Sequence, residues 1–525
     1  MESAIKRNRV GYALRIALLV CTPAIGFYAV LVYFNYSLAD FTPATPNDQL
    51  DYFLESQAYC HYGWNAGYFA IGEEPAPAAF SHMGVHGPFF PALYGLLGRC
   101  FGLSYRSGPL FNVWILCAAI AVYCWLSRPS GKQVLWLALF FLTYWPCYAF
   151  VYSWMQDVLH IAVAVVLAGI FTALLSQTPL SRAVWFRVAA VVFVCAAALL
   201  RISWALVLPP MFLLFLPRYT YKTVAAALLA AGVGILMLMI TFRWICAPFS
   251  NIPTAFLMNK LLTLDVDPKV LFAHMWTNLQ EFRRFYLGVE KTVGYEHLGL
   301  LGLFCVLAGL ILGARMWSPK GTAFLRRFDL IDRPGETFFC CYNQLVITVA
   351  TVATYWVGNG GAMRLFSTYV PLALLVVFAG GKRIFQYLFV AVIAFNLLMS
   401  TRCLRQVQEL THDSFSYPAR TAAFKEMIRD DIVFTPGANG WDNTLLSDRV
   451  PPEFAGLPPG IGVSTITSYE SLARPKSRYI LASREVIEKA KTKVRFLRTL
   501  RNLGGHLWLA KGADPNLYLN LAPSR

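Results

Sequence analysis

Three carboxylates within eight residues are the part of this chain that most clearly offers acid–base chemistry. They lie in the segment 46–55, PNDQLDYFLE, which follows the first apolar stretch. If this segment is helical from residue 48, Asp48, Asp51 and Glu55 fall at i, i+3 and i+7, on one face. A carboxylate held there can take the proton of an incoming hydroxyl as a general base. The structural alternative is a helix cap by Asn47 or Asp48, which accounts for one acid but not for an aligned row.

Two further polar groups lie at the ends of apolar segments. Asp157 and His160 are i, i+3 neighbours, so their side chains can lie side by side on a helix. The structural alternative is that Asp157 only stabilises the N-terminus of that helix through the helix dipole. Arg201 and Arg364 each lie in a short turn between two apolar segments. Such arginines can hold a phosphate through charge-assisted hydrogen bonds, or they can simply extend from the apolar segment into water. We therefore treat Asp157 and His160 as candidate substrate-binding residues, and the two arginines as candidate phosphate-binding residues.

A divalent metal is a separate possibility in the region before residue 90. His82 and His86 are four residues apart with Glu73 nearby, and these side chains are metal ligands. Glycines and prolines surround the two histidines and argue against the helix that would align them. His86 and Glu55 are also candidates for contact with a substrate. A general base and one or two arginines need no cofactor for a transfer in which phosphate leaves.

The composition indicates the surroundings in which these residues act. The chain has 525 residues, of which 57% are hydrophobic and 14% charged, and its formal net charge is +17. Soluble proteins carry roughly a quarter charged residues, and disordered chains contain far less apolar surface. A soluble multidomain enzyme and a disordered protein are therefore excluded, and the sequence predicts an α-helical polytopic membrane protein.

About eleven apolar segments approach the roughly 20 residues that a membrane helix needs. The pair 184–199 and 203–217 is short and is interpreted as a hairpin turning at 200–202, since merging it would bury Arg201. With the N-terminus inside, most lysines and arginines between spans then lie on the inner side, as the positive-inside rule requires. The positive net charge is thus explained by the orientation of the chain in the membrane and does not indicate nucleic-acid binding. The first span is expected to remain in the protein and not to be removed as a signal peptide. The predicted spans are 12–36, 109–127, 134–152, 158–176, 184–199, 203–217, 222–246, 298–314, 341–358, 363–379 and 384–400.

Three large pieces are then expected on the outer side: 37–108, 247–297 and a tail that begins at 401. We divide the chain into a transmembrane domain, 1–400, and a small extracytoplasmic α/β domain, 401–525. In the first loop, 89–99 suits a helix at the membrane interface, and Cys60 and Cys100 either pair or stay as free thiols. The tail has apolar or alternating segments that predict strands at 477–482, 505–510 and 516–522, with a helix over 484–501.

In layout and short motifs the chain resembles the GT-C superfamily of integral-membrane glycosyltransferases, which includes the protein O-mannosyltransferases and the lipid A aminoarabinose transferase. The resemblance covers about residues 10–400. The adjacent Asp-Glu pair of the protein O-mannosyltransferases is missing here. The motifs that carry the resemblance are Asp48-Gln49-Leu50-Asp51-Tyr52 soon after the first span, His86-Gly-Pro-Phe-Phe-Pro-Ala-Leu-Tyr94, Leu200-Arg201-Ile202-Ser203-Trp204 with Pro209-Pro210 beyond it, and Arg364 followed by Pro371.

The resemblance implies an inverting transfer of a sugar from a polyprenyl-phosphate carrier to an acceptor on the outer side of the membrane. Asp48 would be the base by position and Asp51 its rival, with Arg201 and Arg364 on the lipid phosphate. The acceptor is a lipid, a glycan or a protein, and the expected location is a bacterial inner membrane with the C-terminal domain in the periplasm. Three alternatives remain. The first is a polysaccharide polymerase or ligase that uses lipid-diphosphate glycans, and the second is a lipid or solute transporter, which would place its polar residues at the bilayer midplane. The third is a structural or assembly subunit, which would tolerate Asp48→Asn.

Overall fold

The computed structural model describes residues 2–37, 48–65, 67–68, 79–80, 87–216, 221–245, 267–287, 302–303, 305–307, 310, 323, 334–354, 364–411, 417–435, 442–448, 451–465, 479–483, 486, 498–502 and 517–521. Most of these residues are helical. The helices before residue 250 are α1 (Glu2–Val20), α2 (Thr22–Tyr33), α3 (Asp48–Tyr62), α4 (Phe89–Phe101), α5 (Ser107–Ser127), α6 (Gly131–Thr143), α7 (Trp145–Phe150), α8 (Asp157–Leu175), α9 (Pro179–Arg182), α10 (Val184–Ala198), α11 (Leu208–Leu214) and α12 (Tyr221–Met239). Those after it are α13 (Pro268–Leu287), α14 (Pro334–Thr354), α15 (Arg364–Ser367), α16 (Val370–Ala379), α17 (Arg383–Thr411) and α18 (Tyr417–Ile428).

Four predicted spans are each divided into two helical pieces, and a proline lies in the first turn of the second piece. These prolines are Pro23 in α2, Pro146 in α7, Pro209 in α11 and Pro371 in α16. A proline in the first turn loses no intrahelical hydrogen bond, whereas deeper in a helix it would remove one and clash with the preceding turn. Each of these four predicted spans is therefore interrupted and not one continuous helix. The break between α1 and α2 bends the chain by 50°.

The helix α8 lies at the centre of the packed helices. Nearly all its side chains are buried, as expected for a helix that is apolar on every side. Gly169 permits close packing on α5, because a Cβ at this position would lie 3.1 Å from Cα of Tyr123. The Tyr123 hydroxyl donates a hydrogen bond of 3.2 Å to the carbonyl oxygen of Leu375 in α16. The three helices α5, α8 and α16 thus form a common core.

Among the described residues, three helices are long and apolar enough to cross a membrane: Ser107–Ser127, Asp157–Leu175 and Arg383–Arg402. The bent pair Val10–Val20 and Thr22–Tyr33 would make a fourth. Several shorter apolar helices occupy other predicted spans, while the span 298–314 lies largely outside the described residues. The chain therefore has the helices of a membrane protein, and the number of eleven spans stays a prediction.

The described part of the C-terminal region contains five strands: β3 (Thr444–Ser447), β4 (Gly462–Thr465), β5 (Tyr479–Ser483), β6 (Arg498–Asn502) and β7 (Leu517–Leu521). They form one mixed sheet in the order β4-β3-β5-β7-β6. The strands β4, β3 and β5 are parallel, and β7 pairs antiparallel with both β5 and β6. The helix α18 packs on a short 3₁₀ helix, Pro452–Gly456, through the rings of Phe424 and Phe454 at 5.6 Å. A small two-stranded pair, β1 (Gly67–Tyr68) with β2 (Ala79–Phe80), lies in the first loop.

The tail differs from expectation in two places. The helix predicted over 484–501 is wrong at its end, where Arg498–Asn502 forms β6, because pairing with β7 outweighs the local helical pattern. The helix α17 continues to Thr411, beyond the predicted end of its span at 400. The strands predicted at 477–482 and 516–522 correspond to β5 and β7, and the one at 505–510 lies outside the described residues.

Candidate functional site

The acidic segment of the first loop is helical, and α3 begins at Asp48. Asp48 and Asp51 lie in its first turn, where the helix dipole favours negative charge, and both are partly exposed. Glu55, one turn further along, is only 2% exposed. The row of three therefore divides into two partly exposed carboxylates at the start of the helix and one that is enclosed by protein.

A buried asparagine holds the segment that leads to Asp157. Asn112 of α5 donates through Nδ2 to the carbonyl oxygens of Val151 at 3.0 Å and Ser153 at 2.8 Å. Its Oδ1 accepts a hydrogen bond from the hydroxyl of Tyr94 in α4. Asn112 is completely buried, so these bonds form where water cannot replace them. They fix the backbone that precedes Asp157, which is the first residue of α8 and is itself buried.

The same segment is tied to α3, the helix of the two exposed acids. The side-chain oxygen of Gln49 accepts a hydrogen bond of 3.2 Å from the backbone N–H of Trp154. The indole N–H of Trp154 donates to the carbonyl oxygen of Tyr105 at 2.6 Å, and its ring meets that of Phe53 edge-on at 5.0 Å. The start of α3 and the start of α8 are thus joined through residues 151–156.

His160 links α8 to the turn that carries Arg201. Its Nδ1 accepts a hydrogen bond of 2.9 Å from the indole N–H of Trp204, so a neutral His160 carries its proton on Nε2. The Trp204 ring lies 4.5 Å from the ring of Tyr369, and the hydroxyls of Ser203 and Tyr369 are hydrogen-bonded. His160, like Asp157, is fully enclosed by protein. We name Ser203, Trp204, Tyr369 and His160 the Trp204 cluster.

Arg201 lies directly before the 3₁₀ helix Ile202–Val207, at the predicted break between two apolar segments. Its backbone is extended, with φ −154° and ψ 121°. Its N–H donates to the carbonyl oxygen of Ala197 at 3.0 Å, and its carbonyl oxygen accepts from the N–H of Trp204 at 3.0 Å. The turn is therefore held on both sides of Arg201, whose side chain is partly exposed.

Gly87 brings the first loop onto this turn. Its φ is +74°, and a Cβ there would overlap the carbonyl oxygen of Leu199 and lie 2.9 Å from the carbonyl carbon. Only glycine permits this approach without displacing one of the two backbones. The loop before α4 thus packs two residues from Arg201. His86 itself lies outside the described residues.

Arg364 is the first residue of α15, and the structure describes its backbone only. The helix is held by a hydrogen bond of 2.5 Å from the hydroxyl of Tyr144 to the carbonyl oxygen of Ser367. Tyr369 of the Trp204 cluster follows two residues later. The chain near Arg364 is thus connected with the turn of Arg201, and a shared phosphate site for the two arginines stays a prediction.

The metal prediction falls outside the described residues, because Glu73, His82 and His86 all lie there. In the part of the chain that the structure describes, no group of three or more His, Cys, Asp or Glu side chains could hold a metal ion. Cys60 and Cys100 are free thiols.

An arginine of α4 holds the end of α3. Arg99 donates through Nε to the carbonyl oxygen of Cys60 at 2.6 Å and through Nη2 to that of Tyr59 at 3.1 Å. A cation at this end also complements the helix dipole. Burial raises the pKa of the Cys60 thiol, an effect that the nearby guanidinium opposes.

The C-terminal part contacts the end of α3 as well. The hydroxyl of Tyr62 donates to the carbonyl oxygen of Pro459 at 3.3 Å, and its ring lies 4.6 Å from that of Phe434. Behind this contact, Arg420 forms an ion pair with Glu453, whose side chain is 1% exposed. Burial raises the pKa of Glu453, and Arg420 offsets part of that effect.

Five residues that the sequence interpretation did not select connect the site: Gln49, Tyr94, Asn112, Trp204 and Tyr369. One signal was available for Asn112, since a polar amide within an apolar span demands a hydrogen-bond partner. Gln49, Tyr94 and Trp204 lie within the motifs that carry the family resemblance, but nothing in those motifs indicates which residues they contact.

The chain matches no protein-family model and no curated protein sequence. Among solved structures it is similar to the archaeal oligosaccharyltransferase AglB from Archaeoglobus fulgidus, determined in complex with an inhibitory peptide and a dolichol-phosphate. The identity is 15%, the TM-score is 0.43, and the match covers 90% of this chain and 70% of that one. Similarity at this level assigns neither residues nor substrates to the present chain.

Proposed function

We propose that this chain is an inverting glycosyltransferase of the GT-C type, which moves a sugar from a polyprenyl-phosphate carrier to an acceptor hydroxyl. The observation that supports the proposal is the continuous series of contacts from α3 through residues 151–157 to the Trp204 cluster. It joins the helix of two partly exposed carboxylates, Asp48 and Asp51, to the turn of a partly exposed arginine, Arg201. A base and a phosphate-binding cation are the two groups that this reaction needs.

In the proposed reaction Asp48 takes the proton of the acceptor hydroxyl. The acceptor oxygen forms a bond to the sugar C1 on the face opposite the phosphate, so the configuration at C1 inverts. The bond from C1 to the phosphate oxygen breaks, and its electron pair leaves with the lipid phosphate. Arg201 and Arg364 hold that charge, and Asp48 later returns its proton to water. Asp51, in the same helical turn, is the alternative base.

The buried residues take another role in this proposal. Glu55, Asp157 and His160 are enclosed by protein, so we propose that they hold α3, α8 and the Arg201 turn in position rather than contact the sugar directly. His86, next to the glycine that packs on the turn, stays the candidate for direct contact with a substrate.

The proposed location is a bacterial inner membrane, with the N-terminus in the cytoplasm and the site and C-terminal domain in the periplasm. A cysteine introduced at Asn516 tests this orientation, because a membrane-impermeant thiol reagent added outside should label it. Labelling from the cytoplasmic side only would contradict the proposed orientation.

The decisive experiment compares glycan, glycolipid and glycoprotein masses from a deletion strain that carries wild type, Asp48→Asn, Asp51→Asn or the control Asp430→Asn. Asp430 is an exposed carboxylate of the C-terminal part, so its amide variant controls for loss of charge. A sugar increment should appear with wild type and the control and be lost with Asp48→Asn. If both variants in α3 keep the increment at normal protein levels, neither acid is the base. The molecule that carries the increment identifies the acceptor, and an increment of a whole oligosaccharide would favour the polymerase or ligase alternative.

Donor binding is tested with polyprenyl phosphate as the probe. It should raise the thermal unfolding temperature of wild type but raise that of Arg201→Ala much less. An equal rise in both would mean that Arg201 does not contact the phosphate.

A further inference from the structure

The helix α13 lies across one end of α14 and is fixed there by a buried amide. Asn278 is completely buried, and its Nδ2 donates a hydrogen bond of 2.7 Å to the carbonyl oxygen of Val352 in α14. His274, one turn earlier, contacts the same amide group through Nε2 at 3.0 Å. Leu271 is partly buried on the same side. These three residues, at i, i+3 and i+7, define the face of α13 that packs on protein.

A second face of α13 presents large apolar side chains. Phe272, Trp276 and Leu279 are 69%, 54% and 48% exposed, and the first two rings are stacked with centroids 6.5 Å apart. We name these three residues the α13 stripe. At about 100° per residue, the centre of the stripe lies roughly 130° around the helix from the centre of the face that packs on protein. Ala273 and Gln280, which are small or polar and exposed, lie further round.

The helix α14, on which α13 packs, has an exposed apolar surface of its own. Leu345, Val349 and Val352 share one face of α14 by their spacing, yet the first two are about half exposed and Val352 is only 4% exposed. The difference arises because α13 covers the end of this face at Val352. The exposed part of the face belongs to the predicted span 341–358, where its neighbours would be lipid chains. The helix α13 therefore lies where that lipid-facing surface ends.

We infer that α13 lies in a membrane–water interface, with the α13 stripe against phospholipid acyl chains. Aromatic side chains are enriched at this depth, and amphipathic helices lie there with one face among the acyl chains. Lys269 is exposed at the edge of the stripe, one turn before Phe272, and its ammonium group can reach a lipid phosphate from this position. This inference does not depend on the proposed function, since it requires no transfer reaction.

The test places the photoreactive residue p-benzoyl-phenylalanine at single positions of the full-length chain. The positions are Phe272 and Trp276 in the stripe, Ala273 and Gln280 outside the stripe, and Trp125 as a lipid-facing control. Trp125 is 57% exposed on α5, one of the helices that qualify as membrane spans. Each purified variant is placed in nanodiscs of palmitoyl-oleoyl phosphatidylethanolamine and phosphatidylglycerol, irradiated and weighed by intact-protein mass spectrometry.

A phospholipid adduct should form at Phe272 and Trp276 in a yield similar to that at Trp125, and several-fold above the yield at Ala273 and Gln280. Equal yields on the two sides of α13, or no lipid adduct in the stripe while Trp125 reacts, would overturn the inference. A cross-link from the stripe to a second copy of the chain would overturn it too, because the stripe would then be a protein interface. Since these discs contain no polyprenyl lipid, the result is independent of donor binding.

Discussion

Replacing Asn112 with leucine should loosen the segment that leads into Asp157. Leucine has a similar size and fills the site, but it makes none of the three hydrogen bonds of the amide. The carbonyl oxygens of Val151 and Ser153 and the hydroxyl of Tyr94 all lose this partner inside the protein. A buried polar group without a partner costs about 1–3 kcal/mol, so the variant should lose about 3 kcal/mol at the least.

The matched variant is Tyr94→Phe, which removes one of the same three bonds and leaves the asparagine in place. Its cost should be about 1 kcal/mol, so the two losses should differ roughly threefold. The measurements are the thermal unfolding temperature of the purified chain and hydrogen–deuterium exchange of the backbone over 151–156. Exchange in this segment should rise much more in Asn112→Leu than in Tyr94→Phe.

Two outcomes would refute this reasoning. If both variants lower the unfolding temperature equally, the bonds of Asn112 to the two carbonyls contribute nothing. If exchange over 151–156 is unchanged in Asn112→Leu, another group holds the segment. In either case the proposed link between α5 and the start of α8 would have to be abandoned.

Three further outcomes follow from single contacts. Gly87→Ala should lower the unfolding temperature more than Gly102→Ala does. Both glycines have a positive φ, which strains either alanine variant, but a Cβ at Gly102 meets nothing within 4 Å, whereas one at Gly87 overlaps the carbonyl group of Leu199. Trp204→Phe removes the indole N–H that donates to His160 and should cost about 1–3 kcal/mol, measured by thermal unfolding; an unchanged unfolding temperature would mean that this bond contributes nothing. Because the pKa of Glu453 is raised, the folded protein keeps the carboxyl proton to a higher pH than the unfolded chain does, so the free energy of unfolding should fall as the pH rises above the ordinary pKa of 4.5. Urea titrations at several pH values measure this pH dependence, and Glu453→Gln should remove it. The same pH dependence in the variant would assign it to other groups.

Local patterns were sufficient to predict where the functional segments begin and turn. The segment from residue 48 is helical, which is the condition under which its three acids share one face, and the break predicted at Arg201 is confirmed. Both features depend on neighbours along the chain. The helix expected at 89–99 corresponds to α4. Prolines were visible in the sequence, and their preference for the first helical turn accounts for the four divided spans, a feature that the hydrophobicity pattern alone does not express.

The contacts that join these segments could not be predicted in the same way. The bond between Gln49 and Trp154 spans 105 residues and the one between Ser203 and Tyr369 spans 166. Such pairs depend on how helices pack, and several polar side chains could have met any given partner. Prediction from local patterns fails in the C-terminal tail for the same reason. Arg498 lies in a segment whose sequence has a helical pattern, but the segment forms strand β6 because it pairs with β7.

The strand order of the C-terminal sheet has a consequence for how the protein is made. The strand β7 lies between β5 and β6, although both are synthesised before it. Until Leu517–Leu521 has left the ribosome, β6 has no neighbour among the described strands, and β5 presents an open edge to which another chain could bind. A chain that stops before β7 would therefore lose two strands of the sheet and not one. During biosynthesis this edge stays unpaired until β7 is made, so an unfinished chain presents a strand with which another chain can pair.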